Sequence, residues 1–431
     1  MEVTMSHKVS TLESEQFFTL FDDELKPKVW NLGKFKHQNY FSFNLKLPEV
    51  MPAEFNRSIS YILEHSGMSL RGQYIDKYKR HYLLVLLNLA RSLLCKQWLL
   101  IPMNTGAYRP GSNPHRNGFT LRYMKDILDI LHEAELIYVK KGKKYTIQPQ
   151  LTAIQPSERF GAELCLIALE SSSEFAGDYV SLSKPHNDYT PSQIHNEQLI
   201  RDRDDMNTIN SFIESHSWPM KGPLKRIYSG EVGLSGRIYC DFQAIPKRTI
   251  RIRPTCLIDE DPIAEVDIKS SHPRLAAQIF EDIKLSRDFY REVSDDTNIF
   301  ASKVKDYFRV ALSSDKREGA LAAFNNMEQI NSTYDFTLLE HWMADNYPNI
   351  PLYSGWSKIA MNIEGEIIKH VLLLGVEENK VVLPIHDAVA LKVQDAEWGR
   401  NAIHKAWLRV MGKDYCEVDI EYPDNFEPIE P

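Results

Sequence analysis

The chain has 431 residues, 43% hydrophobic and 26% charged, with a formal net charge of −8. That is an ordinary globular balance with room for two or three domains of about 100–200 residues each, and no internal repeat or low-complexity tract interrupts it. Glu2, His7, Lys8 and Glu13 among few apolar residues exclude a signal-peptide reading, and the most apolar long window, Leu83 to Ile101, contains Arg91 and Lys96 and reads as a buried helix, with no membrane partner.

Residues 1–70 are weakly patterned, with short aromatic stretches such as Tyr40-Phe41-Ser42-Phe43, and support no assignment. Ile75 to Cys95 has helical apolar spacing through Tyr82, Val85, Leu86, Leu89 and Leu93. A Gly/Pro/Asn loop from Asn104 to Gly118 follows, and Thr120 then caps a second helix with Met124, Ile127, Leu128 and Leu131 on one face. Next come a strand Leu136 to Val139, a basic turn of Lys140, Lys141, Gly142, Lys143 and Lys144, and a strand Tyr145 to Gln148. Helix, loop, helix and basic hairpin in that order predict a winged helix-turn-helix over 71–165. Its second helix would enter a groove while the four lysines of the wing lie on phosphates. Charge agrees: residues 71–150 carry 14 Lys+Arg against 5 Asp+Glu, which leaves the remainder at −17. The same pattern also serves winged helices that bind proteins.

Residues 170–195, rich in Ser, Asp, Asn and Pro, read as a linker, and Ile194 to His216 as a mixed-charge helix. The span 166–220 is therefore expected as a linker and thumb-like helical segment, and 221–431 as a catalytic body. The five cysteines (Cys95, Cys165, Cys240, Cys256, Cys416) are scattered, with no CxxC pair, and suit a reducing cytoplasm.

Two segments of the body carry chemistry. Ala264-Glu265-Val266-Asp267-Ile268 is a strand-like run that turns into a helix just past Asp267, with Ser270 or Ser271 at the N-cap and Pro273 in the first turn. Val381 to Ile385 and Ala388 to Val393 read as a hairpin with His386-Asp387 at the bend. A strand-end aspartate is often only a cap or turn residue. Two of them on neighbouring strand ends are what a pair of Mg²⁺ or Mn²⁺ ions about 4 Å apart needs for phosphoryl or nucleotidyl transfer.

The region from Gly236 to Val389 resembles the palm and fingers of family A DNA polymerases. Gly236-Arg237-Ile238, Gln243-Ala244-Ile245-Pro246 and Arg251 are similar to that family's Gly-Arg-Leu, Gln-Asn-Ile-Pro and Arg run. Asp267 with Arg274, Asn362-Ile363-Glu364-Gly365-Glu366-Ile367-Ile368-Lys369 and Ile385-His386-Asp387-Ala388-Val389 resemble three further motifs in the same order. The resemblance covers the C-terminal half and implies an α+β fold: a right-hand polymerase palm, an antiparallel sheet with helices, with reduced fingers. The winged helix-turn-helix adds to it, an arrangement similar to compact phage and mobile-element replication proteins. The implied activity is template-directed nucleotidyl transfer by a DNA polymerase or primase, with DNA template and primer, nucleoside triphosphates and an accessory replication protein as partners.

By the same resemblance, Asp267, Asp387 and the Ile268 carbonyl hold two metal ions, and Arg317 or Lys316 neutralises the triphosphate from a helix capped by Ser314 or Asp315. His272 and Asn325 stand near the incoming sugar, where the family has glutamate and tyrosine, which implies tolerance of ribonucleotides. Arg237, Gln243, Arg251 and His386 contact the primer or template, whereas Glu364 stands where the family has glutamine and is discounted. A catalytically inactive palm in a DNA-binding regulator, and a template-independent terminal transferase, are the alternative readings.

Overall fold

Every residue from His81 to Ala90 is buried, so this stretch of the helix that carries them is enclosed on all sides. It organises the first of two units in the computed structural model, which describes residues 37–43, 45–47, 53–68, 70–95, 97–142, 151–157, 172–183, 196–245, 247, 253–328 and 332–423. The first unit comprises Met1–Glu174, Pro219–Gly222 and Ala244–Arg253, and the second comprises Phe175–Trp218, Pro223–Gln243 and Pro254–Pro431.

In the first unit, strands β1 (His37–Tyr40) and β2 (Leu45–Lys46) precede α1 (Ala53–Glu64) and the helix with the enclosed stretch, α2 (Gln73–Cys95). Strand β3 (Gln97–Ile101), the one-turn α3 (Asn113–Arg116), α4 (Leu121–Glu133), β4 (Ile137–Lys140), β5 (Thr152–Pro156) and β6 (Ser172–Ser173) follow. The main sheet has the order β1-β3-β5-β4, with β3/β5 and β4/β5 antiparallel. Met124, Ile127, Leu128 and Leu131 form the buried face of α4, as their spacing predicts. The expected loop 104–118 is partly helical, because Asn104 and Ser112 each cap a short turn. The basic hairpin also differs. The antiparallel partner of β4 is Thr152–Pro156, whereas the expected strand Tyr145–Gln148 lies outside the described residues, as do Lys143 and Lys144.

Two polar networks tie elements of this unit together. Asn88 exchanges hydrogen bonds with the Ser42 backbone at 2.8 and 2.9 Å and donates to the Leu84 carbonyl. Asp126 of α4 accepts from Ser66 at 2.7 Å and from the Tyr78 hydroxyl at 2.5 Å, which ties α4 to the start of α2.

The second unit opens with β7 (Val180–Ser183), α5 (Glu197–Ile213), β8 (Lys225–Ser229) and β9 (Ser235–Tyr239), and its small sheet has the order β7-β8-β9. Its main sheet is built on β11 (Asp261–Ile268), between β13 (Ala388–Lys392) on one side and β10 (Leu257–Ile258) and β14 (Val418–Glu421) on the other. Strand β12 (Val382–Ile385) pairs with β13 at the outer edge. All of these pairings in the main sheet are antiparallel. Between β11 and β12 the chain forms α6 (Ser271–Ala276), a helical block of α7 (Phe289–Thr297), α8 (Ala301–Ser313), α9 (Arg317–Glu328) and α10 (Thr333–Asn346), and the long α11 (Ser357–Glu377). Helix α12 (Ala396–Met411) packs on the sheet and on α11. Phe289, Tyr307, Phe308, Phe324 and Phe336 fill the block, and each fully buried aromatic contributes about 1.5–3 kcal/mol.

The stretch expected as a linker and thumb contributes β7 and α5 to this unit's body. Asp202 of α5 is fully buried and receives Arg226 Nη1 and Lys369 Nζ, both at 2.8 Å. Glu366 completes the cluster, 2.8 Å from Arg226 and 3.1 Å from Lys369. Removing one member of such a buried network costs about 3–5 kcal/mol, so α5 is fastened to β8 and α11. Its partners are remote in sequence, so mixed charge alone does not reveal them. No described helix is long and apolar enough to cross a membrane.

Candidate active site

The β12–β13 hairpin forms where the sequence places it, with His386 at its bend in the left-handed region at φ 56°. Register then decides what meets. Asp267 lies opposite Ala388 across β11/β13 and opposite Asp419 across β11/β14. The Ile268 N–H donates to the Asp387 carbonyl at 3.2 Å, which fixes the bend against the end of β11. The Lys269 N–H turns the other way and donates to Glu417 at 2.9 Å. The two ends of a planar peptide point in opposite directions, so the Ile268 carbonyl faces the Asp387 side. The backbones of Asp267, Ile268 and Asp387 are therefore adjacent at the end of β11.

Asp387 is half-buried. Burial, reinforced by the negative charge of Glu364, pushes its carboxyl up to about 6, against the opposing influence of Arg237 and His272. Glu364 is fully buried on α11. Arg237 Nε donates to it at 2.5 Å and Ser271 Oγ at 2.9 Å, and His272 Nε2 stands 3.8 Å from its other face. Burial alone would raise the Glu364 carboxyl, but these partners hold it below the usual carboxylate range. Arg237 Nη2 lies 3.3 Å from His272 Nε2, and Trp356 at the head of α11 meets the His272 ring edge-on at 6.5 Å. Glu364, discounted on sequence, is thus the hub that orients Arg237 and His272 beside Asp387. The adjacent Gly236-Arg237 and Glu364-Gly365 pairs were the available signal, since small residues beside opposite charges allow a close crossing.

The remaining residues divide. Gln243 follows β9, and its amide donates to the Ile238 and Pro384 carbonyls at 2.8 and 3.0 Å, so it braces β9 against β12. His386 is exposed, with the Tyr239 ring edge-on at 6.3 Å. Arg274 is buried and donates to four carbonyls, those of Lys269, Leu285, Ser286 and Arg287.

The helical-block candidates make their contacts elsewhere. Arg317 is clamped by Glu340, Nε to Oε1 at 2.8 Å and Nη2 to Oε2 at 2.8 Å, and its guanidinium stacks over Phe336. Asn325 accepts from the Ser332 N–H at 2.8 Å and closes the α9–α10 connection. Helix α9 begins at Arg317, so the cap position falls on the exposed Lys316 and not on Ser314 or Asp315. Lys140 and Lys141 are exposed at the end of β4 in the first unit, and Arg251 lies outside the described residues.

Among the described residues no cluster of three or more His, Cys, Asp or Glu forms a metal site. The donor set at the β11 end is two carboxylates and a carbonyl. These hard oxygens fit Mg²⁺, which binds few protein ligands and leaves positions for water and phosphate. The chain matches no protein-family model and no curated protein sequence.

Proposed function

We propose that this chain is a template-directed nucleotidyltransferase, a DNA polymerase or primase-polymerase that extends a 3′-hydroxyl with nucleoside triphosphates. The observation that carries the reading is the register that joins Asp267 on β11 to Asp387 at the β12–β13 bend. Asp267, Asp387 and the Ile268 carbonyl would hold two Mg²⁺ or Mn²⁺ ions, which when bound lower the pKa of the attacking hydroxyl and neutralise the leaving pyrophosphate. Arg237 and His272, oriented by Glu364, present donors at the edge of the aspartate pair. The antiparallel sheet backed by α11 and α12 supports a palm, and the helical block supports reduced fingers.

In the first unit, the order α2, β3, α3, α4, β4, β5 with the sheet order β3-β5-β4 supports a winged helix-turn-helix. Exposed Arg122, Lys125, Lys140 and Lys141 favour nucleic-acid backbone as its partner. His272 beside the aspartates, in place of a carboxylate, favours acceptance of ribonucleotides.

The test incubates the full chain with Mg²⁺ or Mn²⁺, labelled ATP or dATP, and homopolymer templates. Complementary products that vanish in a folded Asp387→Ala variant support the reading. Untemplated tails would make it a terminal transferase, and retained DNA binding without any product would make it a regulator.

A further inference from the structure

Nucleotidyl transfer releases a pyrophosphate, and a cation beside that leaving group is what its charge requires. Arg317 is committed to Glu340 through Nε and Nη2. Other cations stand near the end of β11. Lys269 follows the end of β11, and its N–H continues the pairing toward β14 through the Glu417 carbonyl. Its Nζ lies 2.7 Å from Asp288 and 3.2 Å from Asp419, the cross-strand neighbour of Asp267. Arg287 also pairs with Asp419 and stands 3.7 Å from Glu417.

The placement of Arg287 is built, not incidental. The Arg274 guanidinium, 1% exposed, spends its donors on the carbonyls of Lys269, Leu285, Ser286 and Arg287, which clamps the 285–288 loop to the end of β11. A buried guanidinium needs such partners, and the loop gains a fixed position in return. The loop therefore lies beside Asp419, the cross-strand neighbour of Asp267. The side chains of Lys269 and Arg287 keep 23% and 56% exposure, so a ligand can reach them.

We propose that Lys269 and Arg287 are the triphosphate-binding pair of this site, and that the phosphates displace their carboxylate partners Asp288 and Asp419. The proposal rests on the nucleotidyltransferase reading. Exchange is cheap, since exposed ion pairs contribute only about 0–1 kcal/mol, whereas a polyphosphate offers several charges at once.

The test is isothermal titration of the full chain with tripolyphosphate in Mg²⁺ buffer, alongside the incorporation assay. Lys269→Met and Arg287→Met should each weaken binding about fivefold or more, and Lys269→Arg should retain it. Asp288→Asn should tighten binding about twofold or more, because it removes a competitor for Lys269; loss of a merely structural ion pair gives no such gain. Lys284→Met, which removes a pair with Glu417 at 2.9 Å, is the control and should bind as the parent does. Absence of binding by the parent chain, unchanged binding in both folded Met variants, or weaker binding in Asp288→Asn overturns the pair. Binding through Lys269 and Arg287 without nucleotide incorporation keeps the anion site and removes the transferase reading. Incorporation with binding unchanged in both Met variants does the reverse.

Discussion

Gly236 and Gly365 touch backbone to backbone: the Gly236 carbonyl oxygen lies 2.2 Å from where a Cβ on residue 365 would sit. Strand β9 crosses α11 at this point, and the contact brings the neighbouring residues Arg237 and Glu364 together. Gly236 has φ +64°, and its own Cβ would meet Asn362 Oδ1 at 2.5 Å, so neither position accepts a side chain. In a helix interior, Gly→Ala ordinarily stabilises by about 0.5–1 kcal/mol. Here Gly365→Ala should instead destabilise by about 1–3 kcal/mol through overpacking. Urea denaturation reads this out, with Gly319→Ala in α9 as the control, since nothing lies within 4 Å of its added methyl. Equal stability of the two variants would show that the crossing is loose.

The Arg237–Glu364 pair should be energetically coupled. Removing the Glu364 charge with Glu364→Gln leaves a largely buried guanidinium, 17% exposed, without its counter-ion. A stability loss of about 1.5–3 kcal/mol is expected, as for a charged hydrogen bond. Arg237→Gln should cost a similar amount, and the double variant should cost clearly less than the two together. A double-mutant cycle by chemical denaturation measures this coupling, and additive effects would remove Glu364 as the hub. In the incorporation assay Glu364→Gln should lower kcat, because Arg237 and His272 lose their anchor.

Local pattern carried much of this into view before any coordinates. The α4 face of Met124, Ile127, Leu128 and Leu131, the α2 helix and the β12–β13 bend follow from periodicity and turn residues acting over a few positions. The meeting of Asp267 and Asp387 needed register, which the motif order suggested and the β11/β13 ladder supplies. What stayed hidden depends on distant partners. Glu364 is discounted on sequence because it stands where the resembled family has glutamine, whereas Arg237 and Ser271 enclose it. Arg317 reads as a poised cation until Glu340 occupies it. Nothing in the local pattern singles out Asp202, which Arg226 and Lys369 enclose. Burial and long-range ion pairing are tertiary properties, and residue spacing does not encode them.

Asp387 should trade stability for function. Its carboxyl is pushed up to about 6 by burial and by Glu364, so the ionised form is disfavoured in the fold relative to the unfolded chain. Asp387→Asn should therefore raise stability at neutral pH in metal-free buffer, by about 1–2 kcal/mol at roughly 1.4 kcal/mol per pKa unit after discounting for partial exposure. The same variant should abolish nucleotide incorporation. Thermal denaturation in chelator, paired with the assay, checks both halves. A variant less stable than its parent would mean that the Asp387 carboxylate is supported by contacts that outweigh its burial.

His81 should make the first unit sensitive to acid. It is 0% exposed, its Nδ1 donates to the Lys77 carbonyl at 2.6 Å, and its Nε2 accepts from the Thr120 N–H at 2.8 Å. That pair of bonds requires the neutral ring, because a proton on Nε2 would face the Thr120 N–H donor. The charged groups that act on it most are Lys77 and Arg80 of its own helix, and Phe119, Thr120 and Tyr123 pack on it from the α3–α4 side. Burial accordingly drives its pKa down from 6.5 to about 4. The unfolded chain then binds a proton that the folded chain refuses, so stability falls as pH drops below about 6.5 and levels off below about 4. The full effect is on the order of 3 kcal/mol. Urea denaturation of the full chain at pH 7.5 and pH 5, followed through a first-unit probe, should show this loss. His81→Gln should start less stable at pH 7.5, with one of its two buried bonds altered, yet lose clearly less on acidification. A parallel pH dependence in parent and variant would assign the acid sensitivity to other groups.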